Sequence, residues 1–429
     1  MEKIIIDGGK PLVGNIEISG MKNAALPIIM GCMLVEDDCI IENLPEIDDV
    51  TVSLEILARM GATVRMLDRN SVLINTKNAR RGSSPFELVR KIRASYYLLG
   101  AELGRFGRSY VGYPGGCDFG SRPIDQHIKG FQALGADVNV ECGYIEMAAK
   151  DGLHGANIFF DLVSVGATMN VMLAAARAEG QTVIENAARE PHVVDLANFL
   201  NTCGANIIGA GTDTIKIKGV PELHGCTYAI IPDMIEAGTY MVAAAATHGD
   251  LTITNVIPKH LESITAKLEE MGVDVVEGDD FVRVSHKGKL NRINIKTMPY
   301  PGFPTDMQPQ ISILLCLAEG VSYLNENVFD NRFRYTEELA RMGAVIKVDG
   351  KTAIFEGVPS LSPATVRAVD LRAGAAMVIA GLATEGRTEI ENIRLIERGY
   401  DNIVGKLSSV GADIKKVFRP DPVVFDVAN

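Results

Sequence analysis

One loop concentrates reactive side chains. From Tyr113 to Asp125 the chain reads Tyr-Pro-Gly-Gly-Cys-Asp-Phe-Gly-Ser-Arg-Pro-Ile-Asp, placing Cys117 five residues before Arg122 among three glycines and two prolines. A thiol set among backbone amides and near a guanidinium has its thiolate favoured, and such a cysteine serves as nucleophile or acid. A second set is defined by phase. Counting 14 residues back from the residue that ends each apolar helical stretch gives Lys22, Arg93, Gly166, Ile235 beside Glu236, Asp306 and Arg372. Helix N-termini expose free N–H groups and positive potential, so several ends meeting at one place would hold an anion. Cations at such ends oppose the helix dipole and require an anionic partner. Asp306 is the carboxylate of the set and the candidate to take up a proton.

The elements that carry these residues repeat. An apolar residue, Gly, a small or apolar residue, any residue and a β-branched residue recur at Gly61, Gly135, Gly204, Gly272, Gly343 and Gly411, spaced by 68 to 74 residues. Six units account for the 429 residues. Each glycine follows a helical pattern and precedes a strand-like alternation, as the residue just past a helix end should. Upstream, five units share a strand ending in asparagine, at Asn43, Asn186, Asn255, Asn327 and Asn392. Before that strand lies an apolar helix, mostly ending in Gly: Gly107, Gly180, Gly249, Gly320 and Gly386. The unit reads strand, apolar helix, strand, amphipathic helix, then one or two strands. The stretch from Gly166 to Glu179 is apolar almost all round, which predicts helices buried inside their domain. Three units closing around three buried helices would give two similar α/β domains. A solenoid is the lesser alternative, because its helices keep a polar side. Unit two has no strand ending in Asn; the Cys117 loop is expected to stand in its place, and departures from a repeat are where function concentrates.

Composition narrows the classes. The net charge of −12 disfavours nucleic acid and anionic membrane, so an anion site must be a local cluster of Lys and Arg. Trp is absent and aromatics make up 6%, which argues against base stacking. The seven cysteines contain no CxxC pair and no His at metal-ligand spacing, so neither a disulfide framework nor a zinc ribbon is expected. The six besides Cys117 are expected to be inert core thiols. No Walker loop or dinucleotide fingerprint occurs. No apolar stretch reaches membrane-spanning length, and a soluble, reduced, cytoplasmic protein is expected. From the residues alone, the reading is a two-domain α/β enzyme whose cleft binds a polyanionic substrate between helix ends.

Seven segments then occur in order: Ser19–Pro27, Pro114–Asp125, Ser164–Thr168, Phe303–Gln308, Glu326–Phe333, Asp370–Gly374 and Glu397–Tyr400. Together they resemble the UDP-N-acetylglucosamine 1-carboxyvinyltransferase family of enolpyruvyl transferases, from end to end of the chain. The resemblance implies two inside-out α/β-barrel domains of three βαβαββ repeats each. Domain I would comprise residues 22–231 with the Cys117 loop, and domain II residues 1–21 plus 232–429, with the active site in the cleft between them. It also implies addition of the sugar 3′-hydroxyl to C2 of phosphoenolpyruvate, protonation at C3, and loss of phosphate from the tetrahedral intermediate, the first committed step of peptidoglycan synthesis.

By the same resemblance Asp306 is the base, and Cys117 the general acid, the thiol that forms a covalent phosphoenolpyruvate adduct and the target of fosfomycin. Lys22, Asn23, Arg122 and Arg398 would hold phosphoenolpyruvate. Arg93, Arg122, Pro123, Ile124, Asp125, Gln126, Ser164, Val165, Gly166, Asp306 and Val328 would line the UDP-sugar site, with Arg332 and Arg372 as further contacts. No metal and no cofactor are implied; the partners are the two small substrates, and a monomer is expected. Three positions depart from the family pattern: Leu162 where many members have Lys, Met234 where some have Arg, and Met21 for the usual Ala. Domain closure over the substrates, with the Cys117 loop as lid, is a further expectation. The alternatives are 5-enolpyruvylshikimate 3-phosphate synthase and a noncatalytic repeat-built binding protein.

Overall fold

A computed structural model describes residues 2–82, 84–113 and 123–418. Cys117 and Arg122 lie outside the described residues. The chain divides into two compact units, one of residues 19–233 with 299–302, the other of residues 1–18, 234–298 and 303–429. The dividing points fall at 18/19 and 233/234, where the sequence reading placed them at 21/22 and 231/232.

The third repeat shows how the unit is built. Strand Asn157–Phe159 leads to helix Val165–Ala175, strand Gln181–Glu185, helix Pro191–Thr202, and strands Asn206–Ile208 and Thr214–Lys218. Asn157–Phe159 and Gln181–Glu185 pair in parallel, as a helical crossover requires, and the last two strands add antiparallel. Among the described residues there are six sheets, one for each repeat.

Helix character follows from sequence. From Ala167 to Ala175 every residue of Val165–Ala175 is buried, and all thirteen residues of Met234–Ala246 are. With no polar stripe to face water, these helices can only lie inside. In the second unit Met234–Ala246, Gln308–Leu317 and Leu371–Ala383 pack against one another; in the first, Tyr97–Phe106 packs against both Lys22–Gly31 and Val165–Ala175. The amphipathic helices, such as Asp48–Arg59, bury one face only. The six glycines at the helix-to-strand turns all have positive φ, from 86° to 101°. One expected helix-ending glycine behaves differently: at Gly249 the left-handed residue is His248, with φ 51°.

The repeated asparagines have a structural reason. Asn43, Asn186, Asn255 and Asn392 have φ between 55° and 61°, and each side-chain amide donates to the carbonyl just past the parallel strand: Ile230, Phe160, Ile18 and Ala368. Asn327 makes the same bond to Thr297 without the left-handed turn. The asparagine thus turns the chain and clips the neighbouring strand to the sheet. Unit two corrects the sequence reading. Its strand is present, Arg108–Gly112 beginning just after Gly107, and pairs with Tyr144–Ala148. Tyr113 stands where the clip would be, and among the described residues this sheet is three-stranded where the other five have four. The Cys117 segment therefore follows the strand rather than replacing it.

Sequence-distant strands complete the end repeats. Thr227–Ala229 supplies the parallel strand beside Asp38–Glu42, and Val13–Glu17 does so beside Asp250–Thr254. Glu2–Gly8 lies between Gly386–Glu391 and Ile414–Phe418, antiparallel to both.

Candidate active site

In the unit of residues 19–233, the starts of the inner helices gather charged and aromatic side chains. Lys22 opens helix Lys22–Gly31, its backbone N–H donating to Asp233 Oδ2 at 3.4 Å. Its ammonium lies 2.7 Å from Asp49 Oδ2, with both side chains largely withdrawn from water. Asn23 follows it, half-buried. Arg93 opens the 3-10 turn Arg93–Tyr96 and lies over the Tyr96 ring, 5.5 Å from its centroid. The Tyr96 ring meets His127 edge-on at 4.9 Å.

His127 is neutral: burial, reinforced by the Arg93 charge, pushes its pKa down to about 3. Its Nδ1 accepts from Asn170 Nδ2 at 3.1 Å, which leaves the proton on Nε2. The fully buried Asn170 also donates to Tyr96 O and accepts from Gly100 N, joining two inner helices. Gly166, at the start of Val165–Ala175, must lack a side chain: a Cβ there would sit 2.6 Å from Tyr96 Oη and 3.0 Å from His127 Cε1. Ser164 caps this helix, accepting from Ala167 N, and Val165 is its half-buried first residue. Asp125 starts helix Asp125–Ala133 after exposed Pro123 and buried Ile124. Gln126 is buried and tied to Asp161 twice, Nε2 donating to Oδ2 and Oε1 accepting from N. Asp161 pairs with Lys129, whose hydrogen bond holds the Asp161 carboxyl below its ordinary range.

In the other unit the centre is Asp306, in the turn Thr305–Met307 that precedes helix Gln308–Leu317. Arg332 Nη2 donates to Oδ1 at 3.0 Å; Arg372 Nε and Nη2 both reach Oδ2 at 3.3 Å. Both guanidiniums are buried. Arg372 stands at the start of helix Leu371–Ala383, capped by Asp370 accepting from the N–H groups of Arg372 and Ala373. Its guanidinium lies over the Tyr400 ring at 5.3 Å. Tyr400 Oη meets Thr239 Oγ1 and Gln310 Nε2, which brings the starts of the three inner helices to one place. Arg398, two residues before Tyr400, is half-buried.

Val328 is exposed on a loop whose shape is set by a residue the sequence reading passed over. Glu326, 1% exposed, accepts from Thr297 Oγ1, Thr305 Oγ1, Val328 N and Phe329 N. It therefore fixes both the Val328 loop and the turn carrying Asp306.

The structure brings Lys22, Arg93, Gln126 and Gly166 onto helix starts of one unit, and Asp306, Arg332 and Arg372 together in the other. The anion that the dipole argument required is internal in two cases, Asp49 for Lys22 and Asp306 for Arg372. Asp49 comes from the amphipathic helix of Lys22's own repeat and Asp306 from the repeat before that of Arg372, pairings that spacing along the chain does not reveal. The expectation of six inert core thiols fails at two positions. Cys142 is exposed in the two-residue turn between Asp137–Glu141 and Tyr144–Ala148, and Cys226 is half-buried. Among the described residues no helix is long and apolar enough to cross a membrane.

The fold and the sequence have clear relatives. The family model described as EPSP synthase (3-phosphoshikimate 1-carboxyvinyltransferase) matches residues 6–407. Two relatives are a UDP-N-acetylglucosamine 1-carboxyvinyltransferase 3 of Caldanaerobacter subterraneus, 56% identical, and a UDP-N-acetylglucosamine 1-carboxyvinyltransferase of Clostridium botulinum, 57% identical. Each match covers 97% of this chain and the whole of the relative. Among solved structures, the enolpyruvyl transferase NikO from Streptomyces tendae superposes with a TM-score of 0.88 at 28% identity, covering 98% of this chain and 99% of that one. An EPSP synthase from Acinetobacter baumannii, at 20% identity and a TM-score of 0.77 over 97% of this chain and 100% of that one, shares the fold. A family model spanning nearly the whole chain, and relatives of one name more than half identical along it, place this chain in the EPSP synthase family, among the UDP-N-acetylglucosamine 1-carboxyvinyltransferases.

Proposed function

We propose that this chain transfers the enolpyruvyl group of phosphoenolpyruvate to the 3′-hydroxyl of UDP-N-acetylglucosamine with release of phosphate, the first committed step of peptidoglycan synthesis, in the cytoplasm. The observation that carries the reading is identity of 56–57% over the full length of relatives bearing that activity's name. In the proposed reaction Asp306 accepts the 3′-hydroxyl proton as the oxygen bonds to C2, and Cys117 delivers a proton to C3. The tetrahedral adduct then loses a C3 proton and its C2–O bond to phosphate. Asp306 suits the first step by placement: Arg332 and Arg372 hold the carboxylate in a fixed orientation.

Lys22, Asn23, Arg122 and Arg398 are assigned to phosphoenolpyruvate, since ammonium and guanidinium groups suit phosphate and carboxylate. The UDP-sugar is assigned to Arg93, Arg122, residues 123–126, Ser164–Gly166, Asp306 and Val328. Of these, Gln126 and Ser164 already spend side-chain hydrogen bonds within the protein, which makes their contribution chiefly one of shape. The reaction needs no cofactor, and Cys117 is proposed to carry the covalent phosphoenolpyruvate adduct and to be alkylated by fosfomycin.

The test is phosphate release from phosphoenolpyruvate. UDP-N-acetylglucosamine should support it and shikimate 3-phosphate should not; fosfomycin should abolish it. Turnover with shikimate 3-phosphate alone would reverse the assignment. Unchanged release by both Cys117→Ala and Asp306→Ala would leave only a binding protein.

A further inference from the structure

Four cysteines from two distant stretches of sequence meet in the unit of residues 19–233. Cys32 lies in the turn after helix Lys22–Gly31, Cys39 in strand Asp38–Glu42, Cys203 at the end of helix Pro191–Thr202, and Cys226 just ahead of strand Thr227–Ala229. The parallel pairing of Thr227–Ala229 with Asp38–Glu42, with Ile40 N donating to Cys226 O at 2.8 Å, brings the two stretches together. The sulfurs of Cys39, Cys203 and Cys226 all lie within 4.8 Å of one another, and Cys203 and Cys226 are 3.4 Å apart. Cys32, Cys39 and Cys203 are fully buried, while Cys226 is half-buried. The thiols of Cys203, Cys226 and Cys32 lower the pKa of Cys39, while the Cys226 thiol and then that of Cys39 raise the pKa of Cys203.

A buried cysteine alone is a small apolar filler. Three sulfurs converging on one point are also a donor set. Zinc–thiolate bonds of about 2.3 Å in tetrahedral geometry place sulfurs about 3.8 Å apart, close to the spacing seen here. Thiolates select soft cations over Mg2+ or Ca2+. Cys226, half-buried, leaves the cluster an approach from solvent, as a loadable site needs. We propose that Cys39, Cys203 and Cys226 form a trithiolate site for one soft d10 cation, with Cys32 bonded to the Cys39 sulfur as supporting group. Binding forms three metal–sulfur bonds and releases up to three thiol protons to solvent, with no redox change. The cation would join the first repeat to the end of the third, and the site stands independently of the transferase reaction.

The experiment titrates Cd2+ into the reduced full-length chain carrying Cys117→Ser and Cys142→Ser, so that neither the loop thiol nor the exposed thiol competes. The expected result is a sulfur-to-cadmium ultraviolet absorption band saturating at one equivalent, with a rise in the melting temperature. Adding Cys226→Ser, a mild change at a half-buried position, should lower the band and weaken binding at least tenfold. Adding Cys316→Ala, a buried thiol outside the cluster, should leave the titration unchanged. No saturable band, or Cys226→Ser binding as its parent does, overturns the site. So does finding Cys203 and Cys226 joined as a disulfide in the reduced sample. Cys226→Ser in the otherwise natural chain should keep its phosphate-release activity.

Discussion

Asp306 shows what a single position gains from its fold. Its phase at the start of an inner helix is legible in the sequence, as are those of Lys22, Arg93 and Arg372. Its two guanidinium partners are not, because Arg332 and Arg372 are 26 and 66 residues away. The role of Glu326 is hidden for the same reason: two of its four donors, Thr297 and Thr305, lie 29 and 21 residues away. Asp306→Asn keeps the size of the side chain and removes the proton acceptor, so phosphate release should fall by about 10²–10⁴ with little change in KM for the UDP-sugar; a loss below tenfold would remove Asp306 from the base role. Gly166→Ala makes the opposite split. Its Cβ displaces Tyr96 and His127, so KM for the UDP-sugar should rise more than kcat falls, measured against wild type at one phosphoenolpyruvate concentration. Glu102 gives a pH signature unrelated to catalysis. It is buried, accepts from Ser109 Oγ and Gly82 N, and desolvation raises its pKa to about 7 from 4.5. The folded state therefore holds the extra proton, so stability is unaffected by Glu102 below about 4.5, declines as pH rises through about 7, and is constant above. Glu102→Gln should remove that decline, on the order of 2–3 kcal/mol between pH 5 and 8 by urea unfolding. Parallel curves for variant and wild type would show that Glu102 does not titrate in this range.

At the scale of elements the repeat was readable because both of its markers are conformational. The glycine after each outer helix, and the asparagine after four of the six central strands, hold left-handed backbone, which few residues tolerate. Their spacing survives where side-chain chemistry drifts. The strand of the second unit is hidden because it is followed by Tyr113 rather than Asn and a longer connection separates it from Gly135; it begins directly after Gly107. Among the described residues the absent clip and the three-stranded sheet occur in the same repeat. The clip can be tested where it is intact. Asn186→Gly keeps the left-handed turn and loses the bond to Phe160 O, which should cost about 0.5–1.5 kcal/mol. Asn186→Ala loses both, adding about 1–2 kcal/mol for the backbone conformation. Hydrogen exchange in Asn157–Phe159 should accelerate in both variants; equal unfolding free energies for Gly and Ala would show that the turn carries no strain.

Across the whole molecule the order of the chain and the order of the fold differ. The six-fold count was visible in the sequence, whereas the exchange of terminal strands was not, since Glu2–Gly8 and Val13–Glu17 read like any short strands. Glu2–Gly8 is an inner strand of its sheet, so residues 2–8 are needed to finish the last repeat. Ile4 and Ile6 point from this strand into the core and are buried as deeply as residues of the inner helices. Ile6→Ala removes three methyl or methylene groups from that core and should cost about 2–5 kcal/mol. The cost should fall on the unit that contains the C-terminal half, although the substitution lies at the N-terminus. Calorimetry and limited proteolysis can separate the two units. The variant should lower the transition that yields fragments from residues 234–418, while fragments from 19–233 should appear at the wild-type temperature. If the fragments from 19–233 appear first, Glu2–Gly8 is not what limits the stability of the C-terminal repeats.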